Sequence, residues 1–305
     1  MSEFRSGFVA LVGRPNVGKS TLVNALVGQK LAIVSPKPQT TRRGLRAIVN
    51  SDDAQVVLVD TPGLVEGGDA LRRSLRRVTG MAAAEADLGL ALFELHRGAA
   101  HLEPADREVL QLAARGTMVV AINKVDLLAR KEELLPWMAL FAEASKGAPV
   151  VPISAKTGDG LEALLRELKG RLPVGPPLFP PDMITDEAER VLVAELVREQ
   201  LLAKTHDEVP HSTAVEIEEF VDGRGSGADP ICHLTGRIVV ERDSQKGIVV
   251  GKKGQMIKSI STAARRQIEL LLGARVYLRL TVHVDKDWRT NARAVSRLGY
   301  GGSDS

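Results

Sequence analysis

Residues 13–20 read Gly13-Arg14-Pro15-Asn16-Val17-Gly18-Lys19-Ser20, with Thr21 next. This is the GxxxxGK[ST] spacing of a phosphate-binding loop. Glycines let backbone N–H groups turn inward around a β-phosphate, and the following helix adds the positive end of its dipole. Lys19 reaches the β/γ oxygens and the Ser20 hydroxyl ligates Mg²⁺. The flanks supply the required context. Phe8–Val12 is a short apolar run with the length of a buried strand, and a helical pattern from Ser20 stops before Gly28.

Working outward, Ala54–Val59, Leu88–Leu95, Met118–Ile122 and Val150–Ile153 are further short apolar runs. Each suits a strand covered on both faces. Helical patterns lie between them, at about Leu71–Ala84, Pro104–Arg115, Glu132–Glu143 and Leu161–Leu172. Ala47–Val49 marks one weaker strand. Alternating strands and helices predict an α/β domain with a mostly parallel sheet and flanking helices.

Three more motifs sit where strands end. Asp60-Thr61-Pro62-Gly63 follows AQVVLV. An acid there holds Mg²⁺ through water, and the Gly63 N–H is placed to sense a γ-phosphate. The competing reading is a plain turn, for which DTPG is good chemistry. Asn123-Lys124-Val125-Asp126 follows MVVAI. The Asp126 carboxylate is suited to accept the N1 and N2 hydrogens of guanine, which adenine lacks. Ser154-Ala155-Lys156 ends VVPI, and its backbone N–H groups are candidates for the guanine O6.

The chain has 305 residues, 26% of them charged and 44% hydrophobic, with one cysteine, Cys232. The length suggests about two domains. The composition excludes wholesale disorder, and a single cysteine excludes an internal disulfide or a CxxC site. No apolar run approaches the ~20 residues of a spanning helix, and the start lacks a signal-peptide layout. Residues 172–182, LPVGPPLFPPD, hold five prolines. They predict a stiff linker, giving domains at 1–172 and 184–300 with a linker at 173–183. Asp186 and Glu189 have capping-box spacing ahead of a helix to about Lys204. Alternating runs at Thr213–Phe220, His233–Glu241 and Val276–Val284 predict a half-exposed sheet. The tail Gly301–Ser305 reads as disordered.

A net charge of +3 hides an asymmetry. Residues 183–243 carry 6 Lys/Arg against 14 Asp/Glu, and residues 244–297 carry 12 against 3. The basic block points to a polyanionic partner, with a solvated basic surface as the bland alternative. Within it, Gly251-Lys252-Lys253-Gly254 lies between two helical patterns, and the second helix adds Lys258, Arg265 and Arg266. A GxxG loop in this setting clamps the backbone of about four nucleotides. With only ten aromatics (2 Trp, 2 Tyr, 6 Phe), RNA binding will not rest on a large stacking platform.

The ordered set GRPNVGKS, DTPG, NKVD and SAK resembles the translation-factor class of P-loop GTPases. Pro38-Gln39-Thr40-Thr41-Arg42 resembles its switch I, whose threonine completes the Mg²⁺ shell; Thr41 is favoured, with Thr40 as the alternative. Leu64 stands where Ras-like proteins carry a water-orienting glutamine, so intrinsic hydrolysis should be slow. Asn16 resembles the asparagine that helps bind K⁺ in potassium-activated relatives; the alternative is an amide that only stabilises the loop.

Both halves together resemble the Era family of bacterial Ras-like GTPases with a C-terminal KH domain. The added carriers are VEIEEF (Val215–Phe220), ERDSQKGIVVGKKGQMIKSI (Glu241–Ile260) and DWRTNARAVSRLGY (Asp287–Tyr300). The resemblance implies a P-loop G domain followed by a smaller α+β type II KH domain. It implies GTP hydrolysis with Lys19, Thr41 and Gly63 at the reacting phosphate, and Ser20, Thr41 and Asp60 around Mg²⁺. It also implies binding of the 3′ end of 16S ribosomal RNA and a role in late small-subunit assembly. The implied setting is a cytoplasmic monomer, with peripheral association at the inner membrane in many members. Phe93-Glu94-Leu95 departs from the family, where an aspartate often follows the strand; the nucleotide site is expected not to depend on it. The rival reading is an RNA-binding or membrane-docking scaffold that uses nucleotide mainly as a structural ligand.

Overall fold

Strand β1 (Arg5–Gly13) lies at the middle of a six-stranded sheet of order β2-β3-β1-β4-β5-β6. The computed structural model describes residues 3–35, 37, 40–63, 68–95, 100–114, 117–206, 209–224 and 231–300. Pro38, Gln39, Leu64 and the tail 301–305, which carried sequence expectations, lie outside the described residues. The other strands are β2 (Leu45–Asn50), β3 (Ala54–Asp60), β4 (Leu88–Glu94), β5 (Thr117–Asn123) and β6 (Val150–Pro152). Among the described strands of this sheet, only β2 runs antiparallel.

The five helices of this unit are α1 (Lys19–Val27), α2 (Ala70–Glu85), α3 (Pro104–Ala113), α4 (Leu135–Ala144) and α5 (Leu161–Arg171). One sheet face packs Ala10, Val12, Phe93, Val120 and Ile122 against Val109 and Leu110 of α3 and Trp137 and Phe141 of α4. The Phe93 and Phe141 rings sit 4.4 Å apart. Leu22 of α1 and Leu164 and Leu168 of α5 are wholly buried. Strands enclosed by helices need no polar face, hence the unbroken apolar runs in the sequence. Both the fold class and the strand positions follow the sequence reading.

The chain divides into two compact units. The first comprises Met1–Ala32, Thr41–Gly67 and Leu75–Asp186; the second comprises Ile33–Thr40, Gly68–Ser74 and Glu187–Ser305. A division falls at 186/187, which groups the proline-rich stretch with the first unit. It is strapped to the first unit. Ser6 N–H donates to Pro173 O at 3.1 Å, Gly175 N–H to Phe4 O at 3.0 Å, and Ile48 N–H to Ile184 O at 2.8 Å. Prolines carry no N–H, so few donors remain to satisfy. The buried Gln55 side chain takes those of Leu178 and Phe179.

In the second unit, α6 (Glu189–Lys204), α7 (Asp243–Val250) and α8 (Gln255–Leu272) pack on a sheet of order β7-β8-β9. Strands β7 (Ala214–Val221) and β8 (Ile231–Val240) are antiparallel, and β8 and β9 (Arg275–Val284) are parallel. Ile260, Ala264, Ile268 and Leu272 recur every four residues along α8 and are buried against Cys232, Leu234, Ile238 and Val276. The expected capping box of α6 does not form: Ala188 occupies the cap, and Asp186 instead pairs with Arg46 at 2.6 Å. A last helix, α9 (Ala292–Arg297), is capped by Asn291, and the nearby Trp288 ring donates to Ser212 O at 3.0 Å. No helix among the described residues is long and apolar enough to cross a membrane.

Candidate functional site

The loop between β1 and α1 turns through two left-handed residues, Asn16 (φ 66°) and Gly18 (φ 103°). At Gly18 a Cβ would lie 2.3 Å from Asn123 Nδ2, so a side chain there would have to displace that amide and adopt a strained φ. Lys19 is buried, and its ammonium donates to Gly13 O at 2.8 Å and Arg14 O at 2.9 Å. The lysine thus folds back across its own loop. Burial pushes its pKa down to about 8, opposed by the nearby Asp60 charge.

Asp60 ends β3 beside β1, in register with Leu11. Burial pushes its carboxyl up to about 6, against the pull of Lys19 and of hydrogen bonds from Ser20 and Thr41. Ser20 Oγ donates to Asp60 Oδ2 at 3.0 Å and lies 2.9 Å from Thr41 Oγ1; Thr41 donates to the same oxygen at 3.3 Å. Three hard oxygens therefore converge, while Asp60 Oδ1 is buried with no hydrogen-bond partner. This donor set fits magnesium, which favours carboxylate and hydroxyl oxygen. The Thr40 hydroxyl turns away and donates to Lys37 O at 2.7 Å. Thr61 and Pro62 serve the frame: the Thr61 hydroxyl donates to Leu11 O, and Pro62 O accepts from Thr79. Gly63 approaches the loop so closely that a Cβ would lie 3.2 Å from Lys19 Nζ.

At the ends of β5 and β6 the motif residues knit together. Asn123 is buried, donates to Val17 O at 2.8 Å and accepts the Ala155 N–H at 2.9 Å. It is the tie between three loops. The Ala155 N–H, expected to meet a guanine O6, is engaged by Asn123 in this arrangement. Ser154 Oγ donates to Asp126 Oδ1 at 2.6 Å, a role missed in the sequence. Lys156 is exposed. Left-handed Lys124 donates to Asn16 O at 2.9 Å and to Glu94. Glu94, set apart from the site in the sequence, is thus in contact with one of its motif residues. The signal was legible in the strand ends, because parallel pairing sets Glu94 opposite Asn123. Arg14 turns from the loop to Glu103 at 3.1 Å and Asp106 at 3.4 Å.

The second candidate site is the α7–α8 corner. Gly251 (φ 70°) lies so close to Met256 that a Cβ would sit 2.6 Å from its Cβ. Lys253 and Gly254 are also left-handed, which turns the chain sharply into α8. Lys252 and Lys253 are exposed, as are Lys258 and Arg265, seven residues apart on one side of α8. Four cations thus flank a corner whose tight approach at Gly251 leaves no room for a Cβ.

Comparison with known proteins recovers both units. A family model described as a 50S ribosome-binding GTPase matches residues 8–124, and a KH-domain model matches residues 208–289. The GTPase Era of Geotalea uraniireducens is 45% identical over 302 residues, covering 98% of each chain. That of Mycobacterium tuberculosis is 45% identical over 306 residues, covering 98% of this chain and all of the relative. A crystal structure of a point variant of Aquifex aeolicus Era bound to GDP·AlF₄⁻ matches with a TM-score of 0.91 at 39% identity, covering 98% of this chain and 100% of that one. An Era structure with MgGDPNP and nucleotides 1506–1542 of 16S ribosomal RNA matches with the same score, identity and coverage. With a phosphate-loop unit and a KH unit each in place, and with relatives alike over nearly their whole length, this chain belongs to the Era family of GTPases.

Proposed function

We propose that this GTPase is a timing switch on the small ribosomal subunit. It binds the 3′ end of 16S ribosomal RNA through its KH unit and acts in late subunit assembly. The observation that carries the reading is the presence, in one chain, of the Ser20–Thr41–Asp60 oxygen cluster and the exposed GKKG corner. The full-length likeness to an Era structure holding both MgGDPNP and 16S RNA supports the pairing.

The geometry supports a role for each residue in this reading. The loop Gly13–Thr21 wraps the phosphates, and Lys19 trades its two carbonyl partners for β/γ oxygens. Ser20, Thr41 and Asp60 hold the metal. Mg²⁺ held there would neutralise charge developing between the β- and γ-phosphates. Thr41 reaches the cluster from switch I, so it reports which nucleotide is present. Gly63, packed against Lys19, offers its N–H to the γ-phosphate. Asp126, held by Ser154, accepts the guanine N–H groups. Water attacks the γ-phosphorus in line with the leaving GDP oxygen. Asn16 would help hold K⁺, which when bound would supply part of the charge that an arginine finger otherwise provides. Lys252, Lys253, Lys258 and Arg265 meet RNA phosphates. Association with the assembling subunit, and peripherally with the inner membrane face, belongs to the same proposal.

Multiple-turnover GTP hydrolysis, measured with and without small subunits, tests the switch against the scaffold reading. The expected result is turnover that rises with subunits present. Binding of GTP and RNA with no turnover under any condition would leave the scaffold.

A further inference from the structure

Strand β9 sorts its side chains to two faces. Val276, Leu278, Leu280, Val282 and Val284 pack with the helix-covered core. The residues between them point the other way, and Arg275, Tyr277, Arg279 and His283 are exposed. Pairing with β8 places His233 opposite Tyr277, and their rings sit 5.6 Å apart. Tyr277 is 60% exposed, unusual for a side chain of its size.

Charge is divided across this face. Glu216 and Glu218 of β7 are met by Arg237 of β8 at 2.8 and 3.3 Å, and Glu219 is met by Thr235 at 3.0 Å. The acidic half is therefore satisfied internally. The β9 half presents arginines on both sides of an open aromatic pair. Alternate residues on a strand lie about 6.6 Å apart, so Arg275, Tyr277 and Arg279 form a short row of cation, ring and cation.

We propose that this open sheet face is a second RNA contact, taking single-stranded RNA beyond the stretch clamped by GKKG. A base stacks on Tyr277 beside His233, and Arg275 and Arg279 meet the flanking phosphates. Single-strand binders combine these two elements, a positive track and an aromatic on which any base can stack. Charge complementarity selects the occupant, since the β9 half is basic and, among the described residues, only Val221 is a large exposed aliphatic on this face. A GxxG clamp holds about four nucleotides, so a longer strand needs further contacts on the same unit. The proposal rests on the reading of the KH unit as RNA-binding.

Two RNAs separate the proposals. One is an oligonucleotide of about four residues, the length of one clamp. The other is a single strand of about sixteen, long enough for an extended site. Both are taken from the 3′ end of 16S RNA and titrated by fluorescence anisotropy at several salt concentrations. Arg279→Glu and Tyr277→Ala are expected to leave the short RNA unaffected and to weaken the long one about tenfold, within the range for loss of one stacked base. Arg279→Glu should also flatten the salt slope for the long RNA by about 0.7. Tyr277→Phe should keep the affinity, because the ring rather than the hydroxyl does the stacking. Both positions are exposed, and unchanged thermal unfolding will verify the fold. Wild-type affinity for the long RNA in Arg279→Glu and Tyr277→Ala overturns the proposal. So does loss of small-subunit binding with RNA affinity intact, which would assign the face to a ribosomal protein. Failure of the clamp reading looks different: Lys252→Asp/Lys253→Asp would then still bind the short RNA.

Discussion

At the residue scale, the proposed base reader is a carboxylate held by a hydroxyl. Ser154 donates to Asp126 at 2.6 Å and fixes its plane. In Asp126→Asn an amide faces the guanine N–H groups with donors of its own, yet it suits the extra carbonyl of xanthine. GTP affinity should fall and XTP affinity rise; wild-type GTP affinity with continued rejection of XTP would remove Asp126 as the base reader. Ser154→Ala is a finer test. A hydrogen bond to a charged group is worth about 1.5–3 kcal/mol, so the preference for GTP over ATP should drop about tenfold while Mg²⁺ dependence stays put. Asn16 gives a third test. With Leu64 in place of a glutamine, turnover should be faster in KCl than in NaCl at equal ionic strength. Equal rates would leave the asparagine as a loop-stabilising residue. Asp126 was legible in the sequence because a strand end and a motif place it. Its partner was not, since Ser154 lies 28 residues away and only the adjacency of β5 and β6 brings them together.

At the scale of elements, legibility follows from how local the cause is. Runs such as Val56–Leu58 could only be buried strands, and Gly28, left-handed at φ 80°, ends α1 where the pattern stopped. The α6 cap failed as a reading because a stronger long-range partner, Arg46, takes Asp186. The hydrogen bonds of the proline-rich stretch were not legible for a similar reason, since the anchoring Gln55 is 123 residues from Leu178. The α7–α8 corner is the element whose reading is easiest to test. In Lys252→Asp/Lys253→Asp, both exposed charges between the two glycines are reversed. RNA binding should be abolished and intrinsic GTP hydrolysis kept. Neutralising either lysine alone, as Lys→Ala, should flatten log K against log[salt] by about 0.7 if that ammonium meets one phosphate. Unchanged affinity and slope in filter binding would make GKKG an ordinary turn.

At the scale of the whole molecule, the two units do not follow the order of the chain. The segment Ile33–Thr40, with the threonine before Thr41, is grouped with the second unit. Within the second unit the Thr40 carbonyl accepts from Arg198, a wholly buried guanidinium on α6 that also bonds Glu195 at 2.9 Å. Glu199 of the same helix accepts the Val34 N–H at 2.9 Å. Within the second unit, the backbone at Val34 and Thr40 is therefore held by α6, a relation no motif announces. Removing Arg198 alone would strand a carboxylate, and breaking a buried pair costs about 3–5 kcal/mol. Arg198→Met with Glu195→Gln takes away both charges, so its thermal unfolding should stay much closer to wild type. The Thr40 carbonyl then has no guanidinium to hold it, and Thr41 is free to leave the oxygen cluster. GDP affinity should change little, because the switch I threonine contributes when the γ-phosphate is present. Turnover of GTP should fall about tenfold, a loss of roughly 1.4 kcal/mol of transition-state stabilisation. Stopped-flow binding of a fluorescent GDP and steady-state phosphate release on the same preparation separate the two effects. A folded double variant that hydrolyses GTP at the wild-type rate would show that the anchor on α6 plays no part in setting switch I.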